Sequence, residues 1–109
     1  ELHDAFSTEE ILRYEDLGLC KPGEGVAFLR SGAPALGGKV PVNPSGGLLS
    51  LGHPLSASGG RVVAEVPTHL RGQAGERPVE GAKVGRPHMR GGFAAGLDAG
   101  ACGIHIRPR

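Results

Sequence analysis

The chain has no tryptophan, one tyrosine and three phenylalanines among its 109 residues. Little aromatic mass is therefore available for a core. Its two cysteines, Cys20 and Cys102, stand far apart, which excludes a disulfide scaffold and a zinc knuckle. No apolar run approaches the roughly 18–20 residues of a bilayer-crossing helix, and no secretory leader is recognisable, so an intracellular location without a membrane span is expected. The formal charge of +1 supplies no clustered basic face, so nucleic acid is not an expected partner. The chain opens on Glu1 rather than methionine, which leads us to expect a truncated or processed product.

Glycine and proline are abundant, with 20 and 9 residues. That is roughly 27% of the chain and touches the low-complexity range. Leu, Ile, Val and Phe make up roughly 24%, above the level of about 20% below which chains stay unfolded. One folded domain is therefore expected. Its densest punctuation lies between Val42 and Gly60, where five glycines flank His53 in a Gly52-His53-Pro54 turn. Glycines in such number suggest a backbone that another group must approach closely.

Local signals predict few regular elements. Ser7 as N-cap with Glu10 makes a capping box, Phe6 and Ile11 a hydrophobic staple, and the helix should run from Thr8 to about Leu17, with Gly18 closing it. Residues 21–38 read as irregular and Val40–Asn43 as a short strand. Helical spacing returns from Leu55 to Leu70, although Pro67 should kink or stop that helix. Gln73–Glu80 reads as a connection, Ala82–Val84 and Ala101–Ile106 as strands, and His88–Gly96 as a glycine-rich turn.

Three places offer chemistry: His3 with Asp4 before a helix, His53 in its turn, and His88 beside Gly91-Gly92. His69 and His105 read as structural. No histidine pair has zinc-protease spacing, so no metal is expected. Ser56-Ala57-Ser58-Gly59-Gly60 lacks the first glycine of a hydrolase nucleophile elbow and the strand before it. Gly46-Gly47 and Gly59-Gly60 fit no phosphate-loop spacing.

Four segments read in order add more: Glu1-Leu2-His3-Asp4-Ala5-Phe6-Ser7-Thr8-Glu9-Glu10, Glu15-Asp16-Leu17-Gly18-Leu19-Cys20, Val42-Asn43-Pro44-Ser45-Gly46-Gly47-Leu48 and Gly52-His53-Pro54-Leu55. With Leu70–Gly75 and Gly81–Gly85, they resemble the C-terminal part of thiolases of the sterol carrier protein type, across nearly the whole chain. The resemblance implies an α/β fold of two similar halves, each a mixed sheet covered by helices, of which this chain would be an incomplete C-terminal half. It implies acyl-CoA acyltransfer in fatty acid or sterol breakdown, with coenzyme A as substrate and no further cofactor.

Under that resemblance, His53 activates a cysteine of the N-terminal half and His3 supports an oxyanion hole, while Gly52, Asn43, Gly91 and Gly92 line the substrate. The expected partners are the N-terminal half, further copies of the chain and, for aldolase-like relatives, a separate subunit. The expected location is the cytoplasm, or the peroxisome in a eukaryote. Four departures stand out. Ala5 and Met89 occupy positions where the family places proton-donating cysteines, Ser56 replaces a glycine, and Pro67 falls within a helix. Three readings stay open: part of a working thiolase, a lipid-transfer or retro-aldolase relative, and a non-catalytic fragment.

Overall fold

The computed structural model describes residues 1–91 together with strand residues 93–94, 97–98 and 101–103. Four helices come first: α1 (Ser7–Asp16), α2 (Gly25–Arg30), α3 (Gly47–Leu51) and α4 (Ser58–Leu70). Four short strands follow: β1 (His88–Arg90), β2 (Phe93–Ala94), β3 (Leu97–Asp98) and β4 (Ala101–Gly103). Both described ladders are antiparallel. β1 pairs with β4, setting Met89 opposite Cys102, and β2 pairs with β3.

Helix α1 forms where expected but is capped differently. The N-cap is Phe6, in extended conformation, and its carbonyl accepts from the Glu9 and Glu10 amides. Ser7 lies inside the first turn and caps nothing, the Glu10 amide donating instead to the Phe6 carbonyl, while the Tyr14 hydroxyl donates to Glu10 Oε1 at 2.6 Å. Tyr14 is fully buried and meets Phe28 of α2 edge to face, at 5.1 Å between ring centres. Gly18, at φ 71°, ends the helix as its sequence position suggests.

Residues 21–38 are not wholly irregular, since α2 lies within them. It is fixed by a tertiary contact, in which the Gly25 amide donates to Glu15 Oε1 at 2.9 Å. A Cβ at Gly25 would stand 2.7 Å from Ile11 Cγ2, so only glycine admits this approach of α2 to α1. The strand expected at Val40–Asn43 does not form. Asn43 adopts φ 49°, outside the extended region, and its side chain accepts from the Leu2 amide. Ala82–Val84 likewise forms no strand, and Met89 lies in β1 rather than in a turn.

Helix α4 starts at Ser58, three residues later than expected, and runs through Pro67 to Leu70. A proline in a helix interior costs about 3 kcal/mol. Here it falls in the last turn, where Thr68 Oγ1 donates to the Ala64 carbonyl at 3.0 Å and the Arg71 amide to the Pro67 carbonyl at 2.9 Å. Buried Val62, Val66 and His69 anchor the helix on both sides of it. Leu2, Leu48 and Ala74 complete the described apolar core with Tyr14. No described helix is long and apolar enough to cross a membrane.

Candidate functional site

Three segments distant in sequence meet around the N-terminal residues. The His88 amide donates to the Glu1 carbonyl at 2.8 Å, and the Leu2 amide donates to Asn43 Oδ1 at 2.7 Å. The His3 amide donates to His88 Nδ1 at 3.4 Å. Residues 1–4 are thus tied to β1 on one side and to the 43–48 loop on the other. Asp4, 1% exposed, accepts from the Leu48 amide at 2.7 Å, which fixes the start of α3. Burial pushes its carboxyl upward, while the Leu48 amide and the Asn43 side chain act in the opposite direction.

The turn after α3 delivers His53. Gly52 takes φ 79°, a region that disfavours side chains, and the Pro54 carbonyl then accepts from the Ala57 and Ser58 amides. Ser58 is fully buried, and its Oγ donates to the same carbonyl at 3.0 Å. We assign that proton to the Pro54 carbonyl, and on this assignment Ser58 Oγ meets His53 Nδ1 at 2.8 Å as an acceptor. The neutral imidazole therefore carries its proton on Nδ1, and Nε2 keeps its lone pair. His3 packs against His53 at 4.9 Å between ring centres and an interplanar angle of 82°.

His3 itself is enclosed. Its Nδ1 stands 2.8 Å from Met89 Sδ, which can only accept, and 3.4 Å from the Arg90 amide, which can only donate, so the two contacts call for opposite tautomers and the shorter one calls for Nδ1–H. Its Nε2 lies 3.5 Å from Glu9 Oε2. Burial depresses its pKa most; Glu9 opposes this, and His53, Arg13 and Arg90 add to it. His88, 3% exposed, is depressed chiefly by burial as well, with help from Arg13, His3 and Arg86 and against Asp16.

Both histidines therefore take up protons more readily when unfolded. Their contribution is complete above the ordinary value of 6.5 and is lost as pH falls below it. The upward shift of Asp4 acts oppositely, in a window starting at its ordinary 3.8. In urea titrations at pH 7.5 and 5.5, His88→Gln should lose less stability on acidification than the parent chain. An equal loss in both would contradict the assignment.

Of the residues singled out from sequence, His3, His53 and Asn43 are brought to one place, and Gly52 sets the turn that carries His53. Gly91 is exposed beside β1, and Gly92 lies outside the described residues. His88 joins the cluster by supporting His3. Glu9 also reaches the cluster, its Oε2 3.5 Å from His3 Nε2, and nothing in its spacing signals that residues 1–4 fold back beside α1. Glu1, Glu65 and His69 bring two carboxylates and an imidazole within 4.8 Å of one another. The carboxylates are already engaged, Glu65 with Arg77 at 2.7 Å and His69 Nε2 at 3.2 Å, Glu1 with Ser45 at 2.7 and 3.0 Å, while His69 Nδ1 is buried without a hydrogen-bond partner. We assign no metal there. An apolar cavity of about 180 Å³ lies beside Leu2, Leu17, Val42, Val66 and Leu70, and none of the site histidines lines it.

Comparison with known proteins completes the description. The sequence pattern described as thiolase C-terminal domain-like matches residues 1–97. The chain belongs to that family. Sterol carrier protein 2 of Rattus norvegicus is 55% identical over 91 residues, covering 84% of this chain and 17% of its own length. An acetyl-CoA acetyltransferase of Methanothermobacter thermautotrophicus is 47% identical over 109 residues, 100% of this chain and 27% of that protein. The benzoylsuccinyl-CoA thiolase subunit BbsB of Thauera aromatica is 48% identical over 93 residues, 84% of this chain and 24% of that subunit. The chain thus spans about a quarter or less of these relatives. In this thiolase C-terminal domain, the Gly-His-Pro turn and the His-Asp segment are the parts brought face to face.

Proposed function

We propose that this chain supplies the histidine arm of an acyl-CoA C-acyltransferase site, which forms or cleaves a carbon–carbon bond next to a coenzyme A thioester. The observation that carries the reading is His53. Its Nδ1–H is held by Ser58, and its Nε2 lone pair is free to accept a proton. In the cleaving direction, a thiol outside the described residues loses its proton to His53 Nε2 and attacks the 3-oxo carbon of the substrate. The bond between C2 and C3 breaks, the acyl group stays on sulfur, and the C2 carbanion takes a proton. Ala5 and Met89 carry no proton to give, so the proton held by His53 is the one at hand.

On this reading, Gly52, Asn43, Gly91 and Gly92 shape the substrate cleft, and the domain is one half of a larger enzyme whose mixed sheet is covered by helices. Relatives named as a thiolase subunit and an acetyl-CoA acetyltransferase support it. The second reading, a lipid-transfer or aldolase-like subunit, is favoured by Met89 Sδ standing 2.8 Å from His3 Nδ1 where the family places a thiol. The experiment is a cleavage assay on the protein that contains this chain. Coenzyme A-dependent cleavage of a 3-oxoacyl-CoA is the expected result. Cleavage of a 3-hydroxyacyl-CoA without coenzyme A would select the second reading, and neither reaction would end both.

A further inference from the structure

Met89 is the one methionine of the chain, and its thioether stands against the ring of His3. Its place in the strand is fixed, since β1 is held by β4 and, through the His88 amide, by the Glu1 carbonyl. From there its side chain reaches the first turn of α4, where a Cβ on Gly59 would lie 3.7 Å from Met89 Cγ. That turn carries Ser58, which meets His53 Nδ1. Met89 therefore bridges the His3 ring and the helix start that positions His53. The 2.8 Å between Met89 Sδ and His3 Nδ1 decides what lies between them. Two bare atoms would set lone pair against lone pair, well inside the about 3.5–4.0 Å of an optimal carbon–carbon contact. A thioether sulfur only accepts, so the proton of this contact belongs to Nδ1. The Arg90 amide asks for the opposite, but at 3.4 Å its hydrogen bond is weak, and losing it costs less than the repulsion. Glu9 does not enter the choice, because its Oε2 stands 3.5 Å from Nε2 and forms no hydrogen bond with it.

We infer that Met89 is a positioning residue: its Sδ accepts the Nδ1–H of His3 and holds that ring edge to face against His53, with Nε2 left bare. Both imidazoles of the site are then the same tautomer, His53 through a hydroxyl and His3 through a thioether. A neutral His3 of this form has no proton on Nε2 and can only accept a hydrogen bond there. Where the family places a sulfur that gives a proton, this sulfur takes a hydrogen bond. Only the effect on turnover rests on the acyltransfer reading; the pairing of Met89 with His3 does not.

The test reads the tautomer by long-range ¹H–¹⁵N correlation of the imidazole rings in the full chain at pH 7.5. His3 is expected to carry its proton on Nδ1. Met89→Leu keeps the volume and removes the acceptor, an exchange that packed sites tolerate. Of the two contacts on Nδ1 only the Arg90 amide then remains, and His3 should switch to Nε2–H. Replacing methionine by selenomethionine changes this one position and keeps an acceptor without a proton, so Nδ1–H should persist. Should Met89→Leu not fold, the parent and the selenomethionine chain decide between the tautomers. In the protein that contains this chain, Met89→Leu should lower kcat about 10-fold with KM unchanged, less than the about 10²-fold cost of an ångström's misplacement. A parent His3 protonated on Nε2, one tautomer shared by parent and Met89→Leu, or a selenomethionine chain that behaves like the leucine variant would overturn the inference. The expected switch in a protein without acyltransfer would refute the proposed reaction and leave the role of Met89 standing.

Discussion

Gly47→Ala is expected to cost more stability than any other glycine replacement in the 42–60 segment, by about 3 kcal/mol or more. Two effects add. Gly47 sits at φ 66°, where an L side chain is strained by roughly 1–2 kcal/mol. A Cβ there would also overlap Asp4 Oδ2 and stand 2.7 Å from Asp4 Cγ. The carboxylate cannot retreat, because the Leu48 amide holds its other oxygen at 2.7 Å and the residue is buried. Gly52→Ala is the control: φ is 79°, yet nothing lies within 4 Å of its Cβ, so only the conformational strain applies. Urea unfolding of both variants measures the difference. Equal losses would show that the Asp4 contact contributes nothing, and the double variant Gly47→Ala with Asp4→Ala should recover part of the loss through coupling. For a domain whose total stability is typically about 5–15 kcal/mol, the single variant approaches the limit of folding.

That contact explains why some of the fold could be read in the sequence and some could not. Helix α1 follows from its own apolar spacing and Gly18, and the structure moves it by one residue. The second half of α4 follows from Val62 and Val66 in the same way. Helices α2 and α3 are short and rest on contacts between distant segments. Gly25 needs Ile11 and Glu15 beside it, and α3 needs Asp4 at its first turn. Propensity within a five- or six-residue window carries neither fact. Asn43 shows the same limit: Val40–Asn43 reads like a strand, but Asn43 takes φ 49° and its side chain holds the Leu2 amide, a residue 41 positions away.

The site divides along the same line. His53 between Gly52 and Pro54 announces itself, and His3 with Asp4 could be placed by resemblance. The contact of His3 with Glu9 depends on residues 1–4 folding beside β1, which the position of Glu9 in its helix does not signal. His88 was visible only as a histidine near glycines. Its use, accepting the His3 amide, appears once β1 is seen to lie beside the N-terminal segment. Pro67 misled in the opposite direction, since its local cost is overcome by side chains anchored on either side of it.

His53→Ala should lower kcat/KM for carbon–carbon bond formation or cleavage about 10³-fold or more in the protein that contains this chain, the upper range for loss of one positioned acid–base group. The fold should survive. His53 is half-buried, and its loss leaves Ser58 Oγ still donating to the Pro54 carbonyl, so the turn keeps its tie to α4. Stability should change by about 1 kcal/mol or less, the worth of one hydrogen bond. Ser58→Ala separates orientation from chemistry. It keeps the imidazole but removes the acceptor that places the proton on Nδ1, and should cost less than His53→Ala, about 10-fold, with a change in the pH profile rather than in binding. Steady-state rates across pH, with urea unfolding as the control for folding, measure all three proteins. An unchanged turnover in His53→Ala would remove the residue from the reaction. A Ser58→Ala variant as damaged as His53→Ala would mean that the imidazole works only when the hydroxyl holds it.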